Sequence, residues 1–164
     1  MLRCSIRLFT VVLLLLTSFR TAREVAAASA TCKHVQGSLQ ETLVTSPCAS
    51  LVGLCTVAQL IGNLRGEAHF TASSFIPSAD TPITGTVFAT GDNLIVNAQF
   101  EGRRGTVATK SAAAFRPGSG DLVDLQTIIG GTGDFAGATG TIHTSGNFIG
   151  TSGESTFEGT VCLP

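Results

Sequence analysis

The stretch Leu125–Ile142 constrains the fold more than any other part of the chain. It reads Leu-Gln-Thr-Ile-Ile-Gly-Gly-Thr-Gly-Asp-Phe-Ala-Gly-Ala-Thr-Gly-Thr-Ile. An apolar run enters a glycine-rich corner, and a strand of small residues leaves it. Gly130, Gly131, Gly133 and Gly137 offer backbone conformations that residues with a Cβ resist. Phe135 is the only large apolar group inside the corner and is expected to plug one end of a core. Glycine-rich turns after strands also cradle phosphates. Here Gly131-x-Gly133 is followed by Gly137, one residue too far for the dinucleotide fingerprint. A phosphate loop also needs a helix after it, whereas Ala138–Thr144 carries β-branched residues and a further glycine, the composition of a strand. Both departures argue against nucleotide binding.

Alternation of period two supplies the rest of the architecture. In Lys33–Thr45 the apolar Val35, Leu39 and Leu43 alternate with Gln36, Ser38, Gln40 and Thr42. Ala58–Ala72 reads as one strand, with Leu60, Leu64, Ala68, Phe70 and Ala72 inward and Ile61, Asn63, Arg65, Glu67, His69 and Thr71 outward. Ile83–Thr90 reads as a shorter strand ending in a turn at Gly91-Asp92-Asn93. Leu94, Val96, Ala98 and Phe100 then point inward. Thr106–Phe115 follows a bend at Gly102–Gly105. Val123, Leu125, Thr127 and Ile129 lead into the corner, and Ala138, Gly140, Ile142, Gly146 and Phe148 lead out along the inner face. Phe157, Gly159, Val161 and Leu163 line the last strand. The prolines fall between or beyond these runs, where a strand can spare an amide donor. The expectation is an all-β domain of about eight antiparallel strands closed into a single barrel, which removes sheet edges. A two-sheet β-sandwich is the alternative.

The segment Ile129–Gly140 resembles the Gly-Gly-Thr-Gly-x-Phe-x-x-Ala-x-Gly signature of the allene oxide cyclase and dirigent β-barrels, and of uncharacterised secreted bacterial proteins near them. The specific match spans Leu125–Ile142, and the flanking strands agree in pattern. The resemblance implies an allene oxide cyclase-like barrel and leaves the chemistry open.

Residues 1–30 read as an export signal. Arg3 and Arg7 precede the apolar run Leu8–Phe19, and Ala28-Ser29-Ala30 fits a small-residue cleavage site. The run is short for a membrane span. A mature chain of residues 31–164, secreted or periplasmic and without a membrane span, is the expected product. Of 10 basic and 11 acidic residues, four and one leave with the signal. The remaining 6 and 10 give a net charge of −4. That balance is no footprint for nucleic acid or an anionic membrane. No pattern calls for a cofactor, and an oligomer is compatible with the sequence.

Cys32, Cys48, Cys55 and Cys162 remain after export, an even number that suggests two disulfides with three possible connectivities. Parity selects among them. Cys32 and Cys162 both lie on outward positions, on first and last strands that a closed antiparallel barrel sets side by side. Cys48–Cys55 then closes the loop after Pro47. No Cys-x-x-Cys pair is present, so no metal site is expected.

Catalytic groups are scarce. His34, His69 and His143 fall on outward positions, there is no Gly-x-Ser-x-Gly elbow, and the chain contains neither Trp nor Tyr. The inner face is unusually small, with Gly37, Gly62, Gly66, Ala68, Ala72, Ala98, Ala138, Gly140, Gly146 and Gly159 at inward positions. A narrow barrel or an internal cavity satisfies close packing. A cavity would be lined by Leu39, Leu43, Phe70, Phe100 and Phe148. Glu41 shares the parity of Leu39 and Leu43, where desolvation would raise its pKa and prepare a general acid or base. Allene oxide cyclases also use a first-strand glutamate inside the barrel, so the resemblance implies the same residue; their pocket tyrosine has no counterpart here. Three functions fit: a barrel that binds a small apolar ligand, a cyclase or isomerase with Glu41 as acid/base, and a filled scaffold for interactions. The volume of the interior discriminates the first two from the third.

Overall fold

Short runs in which β-branched and small residues alternate with polar ones can bury a single face only by pairing into a sheet. In the computed structural model, which describes Ala30–Pro164, eight such strands form a closed antiparallel barrel. The expected export signal, apart from Ala30, lies outside the described residues. The strands are β1 (Thr31–Leu43), β2 (Cys55–Gly62), β3 (Leu64–Pro77), β4 (Val87–Phe100), β5 (Arg103–Phe115), β6 (Asp121–Gly133), β7 (Thr139–Ile149) and β8 (Ser152–Leu163). Each pairs with its sequence neighbour, and β8 returns to pair with β1. That last ladder closes the barrel and sets aside the sandwich.

The closing ladder places Cys32 directly opposite Cys162, and a disulfide joins them. A second disulfide joins Cys48 to Cys55 and ties the β1–β2 loop to the start of β2. Two disulfides fit an oxidising compartment. Among the described residues no helix is long and apolar enough to cross a membrane.

Two strand boundaries differ from the sequence reading, and their effects on the strand number cancel. Ala58–Ala72 is two strands: the chain doubles back at Asn63, so that Leu60 pairs with Gly66. Asn63 fastens this turn by accepting a hydrogen bond from the Gln36 backbone N–H (2.7 Å) and donating one to the His34 carbonyl (2.9 Å). The turn preserves parity, with Leu60, Leu64 and Ala68 all buried, so alternation alone passes straight through it. Conversely, Gly91-Asp92-Asn93 is no turn. β4 runs through it, and the missing Cβ of Gly91 makes room for the Phe70 ring, which would lie 2.4 Å from it. Ile83, expected in a strand, sits in the short helix α1 (Thr81–Thr84).

Bulges correct the facing of two strands. In β4 the register shifts between Ile95 and Ala98, around Asn97 with φ 51°. The extra residue lets both Ile95 and Ala98 face inward. Leu94 therefore faces out, against expectation, and Val96 is half-buried. In β6 a second shift pairs Thr109 with Ile128 and Ala108 with Gly130, leaving Ile129 unpaired. Before it, Val123 and Leu125 face solvent, while Asp124 and Gln126 take the inner positions.

One end of the barrel is solid. Val35, Leu64, Ile95, Phe100, Val107 and Val161 pack there around Phe135, which the corner folds inward to complete burial. Gly133 has φ 61° and Gly137 φ 75°, left-handed conformations that favour glycine. Gly131 does not share them. Its constraint is steric, since a Cβ would sit 2.0 Å from the Thr106 carbonyl oxygen of the neighbouring strand.

Candidate functional site

The opposite end, where the β1–β2, β5–β6 and β7–β8 connections gather, holds a half-open cavity of about 490 Å³. Its size falls within the ~300–1,000 Å³ range of small-molecule sites. Leu39 and Leu43 from β1, Phe70 and Phe75 from β3, Phe115 from β5 and Phe148 from β7 form its apolar wall. Ala58, Ala68, Ala89 and Ala113 provide the room, because an alanine on a barrel wall leaves space that a leucine would fill. Phe100, expected on this wall, is instead packed at the solid end. Its inward parity is as read from the sequence. Parity says which face a side chain takes, and says nothing about its height along the barrel axis. A larger hollow of about 1100 Å³ has the outward Gln36, Phe88, Val123 and Glu158 on its boundary together with the inward Gly37 and Phe157. Groups on two faces of one wall cannot line one chamber, so the smaller cavity is the candidate site.

Glu41 lines this cavity from β1 and accepts a hydrogen bond from the Thr56 hydroxyl of the adjacent β2. Burial pushes its carboxyl above the ordinary range. The Thr56 hydroxyl opposes that shift, and the charge of Asp124 adds to it. Asp124 faces the same cavity from β6, three strands round the barrel. Burial raises its carboxyl too, against the pull of hydrogen bonds from Ser111, Gln126 and the Ala112 backbone. The Ser111 hydroxyl donates to Asp124 Oδ2 at 3.1 Å.

A neutral network completes the polar wall. Gln126 Oε1 accepts from Asn93 Nδ2 and from the Thr109 hydroxyl, each at 3.1 Å, and Gln126 Nε2 donates to Thr144 Oγ1 at 3.5 Å. Asn93, Thr109, Gln126 and Thr144 are all buried. Asp124 and Gln126 have no place in the sequence reading because the apolar Val123 and Leu125 beside them lead the strand into the corner, and Asn93 because it reads there as part of a turn. The available signal was the glycine pair Gly130-Gly131 next to Ile129, a composition that often marks a bulge. His34, His69 and His143 are exposed, away from the cavity.

No family model matches the sequence, and no curated protein matches it. Among solved structures, the barrel is similar to that of the pterocarpan synthase dirigent protein GePTS1. The identity is 14% and the TM-score 0.47, over 84% of this chain and 88% of that chain.

Proposed function

We propose that this is an exported β-barrel protein that holds a small, mainly apolar molecule in its interior. The observation that carries the reading is the cavity: about 490 Å³, walled by leucine and phenylalanine, with its polar groups gathered on a few positions. A filled scaffold would need none of this volume, and empty apolar space forfeits packing contacts. The two disulfides support export.

A second reading is favoured by Glu41. A half-buried carboxyl with a raised pKa, held by Thr56 in an apolar chamber, suits general acid–base work on a bound substrate. In this reading the protein is an allene oxide cyclase-like isomerase. The wall confines the substrate in one conformation, and Glu41 supplies the proton transfer.

The neutral fluorescent probe N-phenyl-1-naphthylamine tests the first reading. Its emission should rise on saturable binding at one site per barrel, and Ala58→Phe or Ala113→Phe, which fill the chamber, should abolish that rise. Absence of saturable binding to the folded protein would refute it.

A further inference from the structure

The three most exposed large apolar side chains among the described residues share one end of the barrel. Leu51 on the β1–β2 connection is 94% exposed, Ile83 on the β3–β4 connection 85%, and Ile149 at the β7–β8 turn 62%. Each stands beside the cavity mouth. Gly53 and Leu54, just after Leu51, line the cavity, as does Gly150, just after Ile149. Phe75 lines it from the foot of the β3–β4 hairpin that carries Ile83. On the outer face of the same hairpin Ile76 pairs with Phe88, and both are about half exposed. Single apolar residues on a surface are ordinary, but a ring of them around one opening marks a contact site.

Charge is distributed in the complementary way. The connections 44–54 and 150–151 contain no charged residue. Connection 78–86 contains only Asp80, and connection 116–120 only Arg116, which pairs with Asp121 at 3.7 Å. At the solid end, by contrast, Lys33, Arg65, Glu101, Arg103, Arg104 and Asp134 crowd the strand ends. The mouth is therefore apolar and uncharged, and the far end is charged.

We propose that the mouth of the barrel docks on a neutral lipid surface, with Leu51, Ile83 and Ile149 inserted among the lipids. Interfacial binding needs apolar groups that reach below the headgroups, and basic residues only where the lipid is anionic. This end supplies the first and lacks the second. A folded protein partner needs a continuous complementary patch, whereas these tips stand apart around a half-open hole, to which a fluid lipid layer can mould. Docked in this way, the cavity opens into hydrocarbon, and an apolar ligand enters it without crossing water. The docking goes beyond the ligand-binding reading and would hold for an empty barrel.

The chain contains no tryptophan, so a single introduced one reports its own surroundings. Leu51→Trp and Ile83→Trp place it at the mouth, and Arg103→Trp places it at the solid end. With phosphatidylcholine vesicles, emission from the two mouth positions should move to shorter wavelength and be quenched by brominated phosphatidylcholine, equally at low and high salt. Emission from Arg103→Trp should not change. Any other pattern overturns the docking. Attachment through the segment preceding Thr31, which enters the barrel at its solid end, would shift Arg103→Trp instead. A shift that needs no vesicles and grows with protein concentration would assign the mouth to a second copy of the chain. N-phenyl-1-naphthylamine binding in vesicle-free solution should be unaltered by Leu51→Asp/Ile83→Asp, because neither side chain lines the cavity. Loss of docking with that binding intact overturns this inference alone, and loss of probe binding with docking intact overturns the ligand reading alone.

Discussion

Glu41 and Asp124 should make the barrel more stable as the solution is acidified from neutrality, and amide replacements should erase that gain. Both carboxyls have pKa values raised by burial in the folded state, with Asp124 adding to the effect at Glu41. Between the unfolded and folded pKa values the native state holds more protons than the unfolded chain. Stability in that window falls as pH rises, at a slope of about 1.4 kcal/mol per pH unit for each fully displaced proton. The stabilising effect of protonation is fully present below the unfolded carboxylate pKa of about 4, is lost through the raised folded values, and stays absent above them. Glu41→Gln keeps the side-chain volume and an oxygen able to accept the Thr56 hydroxyl, while removing a charge from an apolar wall. A gain of order 1–2 kcal/mol at pH 7 is expected for each amide variant, because an unpaired buried charge costs more than a hydrogen-bonded amide. At this chain length that corresponds to roughly 3–5 °C in Tm per kcal/mol. Urea denaturation from pH 4 to pH 8, on the wild type and on Glu41→Gln/Asp124→Asn, measures the effect as the difference between the two curves. The remaining carboxylates contribute alike to both and cancel. Parallel curves would show that neither carboxyl titrates abnormally, and would remove the electrostatic basis of the site.

Three further expectations concern the scaffold. Gly131→Ala and Gly133→Ala should each destabilise by more than about 1 kcal/mol, the first by steric contact with Thr106 and the second by its left-handed φ; unchanged melting midpoints for both would contradict the corner geometry. Phe135→Ala should lower stability by about 3–5 kcal/mol in chemical denaturation, because the ring is fully buried at the solid end, and a loss under 1 kcal/mol would mean the plug is dispensable. Replacing Cys32 and Cys162 by Ser should remove about 5 kcal/mol on the chain-entropy model, for a sequence separation of 130. Replacing Cys48 and Cys55, with a separation of 7, should remove only about 2–3 kcal/mol. Equal losses in the two variants would show that loop length does not set these contributions.

The sequence by itself determined the all-β class of the fold and the shared outward face of Cys32 and Cys162, whereas the β1–β8 ladder decided barrel over sandwich. Period-two alternation is written residue by residue, and a closed antiparallel barrel forces the first and last strands together, so Cys32 and Cys162 meet. The corner was equally legible, since a glycine-rich run holding one phenylalanine has few uses other than a turn with a plug. Glu41 was legible because β1 has no bulge between Val35 and Leu43, and its parity carries through. Only the tertiary structure decided what stands across the cavity from it. A bulge adds one residue and reverses the facing of everything on one side of it, yet it leaves almost no mark in the alternation. In β6 that reversal turned Val123 and Leu125 to solvent and brought Asp124 and Gln126 inside. The height of a side chain along the axis was likewise a matter of register between strands, which put Phe100 in the solid end and Phe148 beside the cavity. Alternation is a local property of one strand, whereas register and bulges are settled by neighbours distant in the chain, and the polar half of this site depends on both.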